Sequence, residues 1–555
     1  MKPRAVRRMG LVGAALAAVL LAGCAGGSTG STGSTGQGDK PTSGATDSSS
    51  TGTGSATADA GQGGTFSVAS SDPTHLTPGN TWSFYLESLL FTGPLRIDSA
   101  TGEPVPGVAT SVTSSDQKVW TIKLAKGWTF SNGEPVTAQS FADAWNATAL
   151  STNGWVQNSN FALFEGYDAM NPAKGKPTAT TLSGVKVVDD LTLQVTLTKP
   201  YGLFPYVIAS YAFAPMPKEA FTDPKGFDAA PIGNGPYKIE GKYTANQAVT
   251  VVRNDAYPGP KGKADKIVFK PYTSYDTAYN DLLAGNTDIV YPVPADRLSD
   301  AQARLGDRTA VAKIPNLNYL AFPLWDKRFD NVKVREAFSM AIDRDALTKS
   351  ILKGAGESAT SISPSSAVGS NPGSCTACAF DPAKAKQLLA EAGGWSGPLK
   401  LYATQDPANT QILQAIANQL RTNLGITNIT FDTPPYAQLD PQVKDKTLDG
   451  PFLYYWGAYF PHVANFLGPL MSKSGIANDT GYDNAKVNDL LDQADSMDVK
   501  QGLPLYQQAE AQVWKDMPIA PIYFGRYTAA WTDHVSDVPV GVNGLGDLSQ
   551  VVVTN

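Results

Sequence analysis

Tyr454-Tyr455-Trp456-Gly457-Ala458-Tyr459-Phe460-Pro461-His462-Val463-Ala464-Asn465-Phe466-Leu467 packs five aromatic side chains into its first seven residues, with Gly457 and Ala458 between them. Aromatics supply large, stiff contact area, and small residues let another backbone approach closely. The mix suits a buried strand or the wall of a binding cleft.

The flanks of this stretch alternate helix and strand. Val334, Ala337, Phe338 and Ala341 form one apolar helical stripe, and a second helix runs from Asp343 to Gly354. Asp381-Pro382 opens a helix that Gly393-Gly394 stops, and Ile412, Leu413, Ile416 and Leu420 mark another, ended by Gly425. A strand at Ile429 and Phe431 precedes the aromatic stretch. A helix through Tyr506, Ala509 and Val513 and a strand at Ile519–Phe524 follow it. The front of the chain reads as strand at Val119–Leu124, helix from Thr137, hairpin at Val185–Leu197 and strands near Val249–Val252 and Ile267–Phe269. The class is α/β with mixed sheets in at least two lobes.

A length of 555 residues exceeds one simple core, so about two to four domains are expected. Net charge of −6 argues against a nucleic-acid partner, which selects a basic face. Lys2, Arg4, Arg7 and Arg8 precede an apolar run from Leu11 to Leu21, the pattern of a secretory signal. Leu21-Ala22-Gly23-Cys24 resembles the lipobox of bacterial lipoproteins, in which the cysteine is lipidated. Residues 25–62 are nearly all Gly, Ser, Thr, Ala and Asp, a flexible tether with an r.m.s. span of roughly 35 Å. Cys375 and Cys378 remain as a pair: outside the cytoplasm a small disulfide loop, with a redox pair or half a zinc site as alternatives.

Catalytic motifs fail on context. Gly26-Gly27-Ser28-Thr29-Gly30 lies in the tether, not on a strand-to-helix elbow. Ser350-Ile351-Leu352-Lys353 ends an amphipathic helix without a partner motif. Three histidines, His75, His462 and His534, are few for a metal cage or a histidine-based triad. The expectation is a binding protein without cofactor, not an enzyme; an extracytoplasmic hydrolase is the remote alternative.

Five ordered blocks resemble the family 5 extracellular solute-binding proteins, the oligopeptide-, dipeptide- and nickel-binding components of ABC importers. They are Pro104–Thr110 with Lys118–Leu124 and Gly127–Ala138; Gly233-Asn234-Gly235-Pro236-Tyr237 with Arg253-Asn254 and Ala284–Asp288; Asn331–Arg335 with Ala341–Arg344; Asp381–Ala385 with Leu388–Gly393; and the aromatic stretch itself. The resemblance covers about residues 63 to 530. It implies a two-lobed periplasmic-binding-protein fold (type II, large cluster C) with an extra inserted domain. Residues 63–96, 226–312 and 519–555 would form lobe I, 97–225 the inserted domain and 313–518 lobe II, with hinges near 312 and 518.

The resemblance further implies a monomer anchored to the cell membrane through Cys24. It would capture a peptide or peptide-like solute by hinge closure and deliver it to ABC permease subunits. Backbone around Tyr455 and Gly457 would pair with the peptide, with Trp456 and Tyr523 beside its side chains and Asn80 and Trp82 on the opposite wall. Tyr459 stands where peptide binders of the family carry the aspartate that meets the α-ammonium, and His462 where the motif's second aspartate stands. That departure leaves open a non-peptide cargo on the same fold: a nickel chelate, haem or an oligosaccharide.

Overall fold

A single strand, Ile519–Trp531, belongs to two sheets at once. Its first half pairs antiparallel with Asn316–Ala321 and Gly356–Ser358. Its second half, from Arg526, pairs antiparallel with Thr309–Lys313 and Ile289–Val290. Beyond the first half the sheet continues through Phe452–Gly457, Leu399–Ala403 and Ile429–Asp432; beyond the second half it continues through Thr65–Ser70, Lys266–Pro271, Val249–Arg253 and Tyr237–Glu240. A separate antiparallel sheet of four strands orders Ala109–Thr113, Val119–Leu124, Thr192–Thr196 and Val185–Asp189. This computed structural model describes residues 63–542 and 544–554. The signal segment, Cys24 and the 25–62 tether lie outside them.

Buried side chains divide along the same line. One apolar cluster draws on residues 317–524 and takes only Leu203 and Tyr206 from the front of the chain. A second draws on residues 66–291 and returns at Ala529, Val535, Leu548 and Val551. The backbone passes between the two halves at Ile314-Pro315, and again within the long strand between Tyr523 and Arg526. At that point Asn316 Oδ1 accepts a hydrogen bond from Gly525 N at 2.6 Å, tying the two crossings together.

Local chemistry explains the helices. Thr137 and Ser140 form a reciprocal capping box at the start of Ala138–Ala149. Asp406 caps Pro407–Leu424, and Gly425 ends that helix in the left-handed region at φ 73°. The helix expected from Asp343 to Gly354 stops at Ser350. The strand expected at Ile519–Phe524 runs seven residues further, through Gly525-Arg526, because it is covered by both sheets.

Arg344 holds the back of the C-terminal half. It is sealed from solvent with no carboxylate partner and donates to the carbonyls of Pro521 (2.6 Å), Ser339 (3.0 Å), Ile342 (3.2 Å) and Cys378 (2.9 Å), and to Ser339 Oγ (2.8 Å). The Cys378 carbonyl is presented by a small loop in which Cys375 and Cys378 are joined, Sγ–Sγ 2.03 Å. Four carbonyl oxygens and a hydroxyl answer the guanidinium fork where a lysine has only three donors on one atom. Arg344→Lys is therefore expected to destabilise the protein by about 3 kcal/mol, read as a lower denaturant midpoint with an unchanged slope.

Candidate functional site

Where the chain crosses between the halves, a cleft of about 370 Å³ opens. Its N-terminal wall is Ser70, Ser71 and the segment Trp82–Tyr85, with Phe269, Tyr275, Tyr291 and Tyr527; its other wall is Tyr455 and Gly457–Tyr459; Ile314–Asn316 lies between. Nine of these seventeen residues are aromatic and none is charged. The cleft thus offers ring faces, hydroxyls and an amide, but no charge to pair with an ion.

The N-terminal wall is held from behind. Gln157 Nε2 and Tyr211 Oη donate to the Thr81 carbonyl at 2.7 and 3.0 Å, immediately before Trp82. Asp228 gathers the loop that leads in: its Oδ1 accepts from the Leu76 and Thr77 amides and from Thr77 Oγ1, and its Oδ2 meets His75 Nδ1 at 2.8 Å. The helix Phe84–Leu90 rests on Gly233-Asn234-Gly235. A Cβ on Gly233 would lie 1.9 Å from the Leu90 carbonyl oxygen and one on Gly235 2.3 Å from that of Leu89, so only glycine allows this approach. Asn234 exchanges two 2.9 Å hydrogen bonds with the Thr92 backbone at the helix end. One turn along from Phe84, Glu87 is sealed with neither carboxyl oxygen hydrogen-bonded among the described residues. Burial, with the nearby Asp228 charge, pushes its pKa well up.

The other wall grows from the strand Phe452–Gly457. Alternation sends Tyr455 out, 56% exposed, and Trp456 in, 9% exposed. Tyr455 folds over Gly457: a Cβ at Gly457 would meet the Tyr455 hydroxyl at 2.8 Å. Past Gly457 the chain turns, with Ala458 N donating to the Pro315 carbonyl at 2.8 Å and Tyr459 N to Asn465 Oδ1 at 2.9 Å. Tyr459 projects into the cleft, 58% exposed.

Of the residues expected at a site, the structure gathers Trp82, Tyr455, Gly457 and Tyr459 around the cleft. Asn80 ends a short turn behind Trp82 and is not part of the lining. Trp456 spends its indole N–H on the Asn465 carbonyl at 2.6 Å. Tyr523, 9% exposed, sits in register with Asn318 and Ser358, outside the cleft lining. His462 is fully buried, its ring 5.3 Å from Tyr206 and 5.7 Å from Tyr506. Its Nδ1 accepts from Ala464 N at 3.2 Å, and its Nε2 has no partner among the described residues. Sequence reasoning missed the floor, where Tyr85, Tyr291 and Tyr527 meet edge to face or tilted at 4.7 and 6.4 Å. These come from three distant segments, and no local signal joins them.

Comparison with known proteins matches this architecture. The family model for bacterial extracellular solute-binding proteins, family 5 (middle region) matches residues 103–478. The oligopeptide-binding protein OppA of Bacillus subtilis is 28% identical over 478 residues, covering 82% of this chain and 86% of that protein. The periplasmic oligopeptide-binding protein OppA of Salmonella typhimurium is 28% identical over 489 residues, 84% and 86% of the two chains. Among solved structures, the periplasmic murein tripeptide binding protein MppA in its unliganded open form superposes with a TM-score of 0.78 at 24% identity, over 89% of this chain and 99% of that one.

Burial pushes the His462 pKa down to about 3. In the unfolded chain its ordinary value is about 6.5, so below that pH the unfolded state takes up a proton the folded state refuses. This contribution is complete above about pH 6.5 and declines as pH falls toward 3, by about 3 kcal/mol at pH 4.5. Denaturant midpoints at pH 7 and 4.5 should therefore differ less for His462→Phe than for the parent protein.

Proposed function

The chain belongs to the bacterial extracellular solute-binding proteins, family 5, and from that premise we propose that it is the cargo receptor of an ABC importer. It captures a peptide or peptide-like solute between its halves and passes it to the permease subunits. It acts as a monomer at the outer face of the cell membrane, held there by a lipid on Cys24 through the 25–62 tether. It performs no chemistry on the cargo: the serines of the cleft have neither histidine nor carboxylate beside them in the lining.

One observation carries the peptide reading. The strand Phe452–Gly457 is paired along one whole edge by Asn316–Ala321, whereas on its other edge Leu399–Ala403 reaches only Phe452 and Leu453. From Tyr454 onward that edge is open beside the cleft. An extended peptide added there gains backbone hydrogen bonds whatever its side chains, which is how one receptor accepts many sequences. Closure is a rotation about the crossings at Ile314–Asn316 and Tyr523–Arg526, bringing Trp82 toward Tyr459. Trp82, Tyr455, Gly457 and Tyr459 are the residues nearest such a ligand, with Asn80 behind Trp82. Trp456 and Tyr523 support them from within the sheet.

A second reading has its own observation. Ring faces with serine hydroxyls and no charge suit an oligosaccharide, whose apolar ring faces stack on aromatics.

Native mass spectrometry of the purified protein separates the two by the mass of retained cargo. Cargo binding is expected to shift tryptophan emission chiefly through Trp82, which is 64% exposed and lines the cleft, and less through Trp456, which is 9% exposed and lines the neighbouring pocket. Trp82→Phe should abolish most of that shift and Trp456→Phe should leave most of it. An undiminished shift in Trp82→Phe would place the ligand elsewhere.

A further inference from the structure

Resting on the peptide reading, we propose that a second pocket, entered past Tyr455, receives an organic cation carried by the cargo, an ammonium or guanidinium group. The pocket measures about 630 Å³ and shares Tyr455 with the cleft, so a solute lying in one reaches the other around that ring. Its polar lining is Asn318, Asp406, Asp440, Lys444 and Asp479.

The first observation is Asn318. It stands two residues from Asn316 on the same strand face, directly across from Tyr455. Asn316 is bonded to Gly525 N, but Asn318, only 8% exposed, has no hydrogen-bond partner for its side-chain amide among the described residues. Its amide opens on the pocket, where an incoming group can take its unused bonds.

The second observation is the charge. Three carboxylates, Asp406, Asp440 and Asp479, face one ammonium, Lys444, and that ammonium is already paired with Asp479. Asp406 uses Oδ1 to cap the helix Pro407–Leu424, accepting from Ala408 N and Asn409 N, and its Oδ2 has no partner among the described residues. Asp440 accepts both Tyr436 Oη (3.1 Å) and Tyr454 Oη (3.3 Å) on Oδ1, which leaves Oδ2 for an incoming donor. Tyr436 and Tyr455, 58% and 56% exposed, add ring faces over which a cation is attracted. The cleft lining carries no charge, whereas this adjoining pocket offers three carboxylates to a cation on the cargo. A peptide brings such a cation either as its α-ammonium or on a lysine or arginine side chain.

The test is isothermal titration with three peptides: N-acetylated Ala-Lys-Ala, unblocked Ala-norleucine-Ala, and N-acetylated Ala-norleucine-Ala, which carries no cation. At least one cationic peptide should bind about tenfold or more tighter than the neutral one. Preference for the acetylated lysine peptide identifies a side-chain cation; preference for the unblocked one identifies the α-ammonium. Asp440→Asn should erase the preference and its decline with added NaCl, while keeping the melting temperature and the affinity for the neutral peptide. Asn318→Ala should weaken the preferred peptide more than the neutral one. Equal binding of all three by the parent protein, or a preference that survives Asp440→Asn, overturns the inference while the peptide reading stands. Binding of none of the three overturns the peptide reading and the inference with it.

Discussion

The hydrogen bond from Gly525 N to Asn316 Oδ1 sits where both backbone crossings meet, and the two halves are organised about it. Asn316 begins the strand that leads into the C-terminal half. Gly525 is the residue at which the long strand leaves one sheet for the other. A Cβ on Gly525 would lie 2.7 Å from the Asn316 amide, so the close approach requires glycine at one side and a short amide at the other. The two crossings are thus joined at one point rather than standing as two independent linkers. The cleft opens beside that point: Asn316 is itself part of the lining.

A cleft without charge is a constraint on the cargo as much as a feature of the wall. Desolvating an ion in it would cost several kcal/mol with no partner to answer it. What the cleft can reward is apolar and aromatic contact, together with hydrogen bonds from an open strand edge and from hydroxyls. Behind the wall, burial favours the protonated form of Glu87. Charged groups line the neighbouring pocket past Tyr455, among them Asp406, Asp440 and Asp479. The charged lining and the aromatic lining therefore occupy different places that share one tyrosine ring.

Much of this was legible in the sequence where the physics is local. Caps, glycine stops and apolar stripes marked the helices, as at Asp381, Gly425 and the Ile412–Leu420 face, because those signals act within one or two turns. The aromatic stretch raised two readings, core and cleft wall, and both hold at alternate residues: Trp456 and Phe460 are buried, Tyr455 and Tyr459 exposed. The strand Asn316–Ala321 escaped notice because it is buried on both faces and carries two asparagines, so neither alternation nor composition marks it. The extension of the last strand past Phe524 was hidden by Gly525-Arg526, which reads as a terminus until the second sheet is in view. The pocket with Asn318, Asp406 and Asp440 gathers residues from five segments, and only tertiary structure gives them a common neighbour.

The crossings are not the only place where the halves touch. The segment Tyr201–Tyr206, which belongs in sequence to the front of the chain, is set into the C-terminal half. Gly202 N donates to the Asp495 carbonyl at 2.6 Å, and a Cβ on Gly202 would come 1.7 Å from the Met497 carbonyl oxygen. Tyr206 packs on Phe460 and on His462, immediately beyond the cleft residue Tyr459. At Gly202 this seam is backbone against backbone, and around Tyr206 it is ring against ring. For the closure proposed above, the crossings and this seam are the tied points: Asn316 and the buried His462 lie at them, whereas Trp82, 64% exposed, does not.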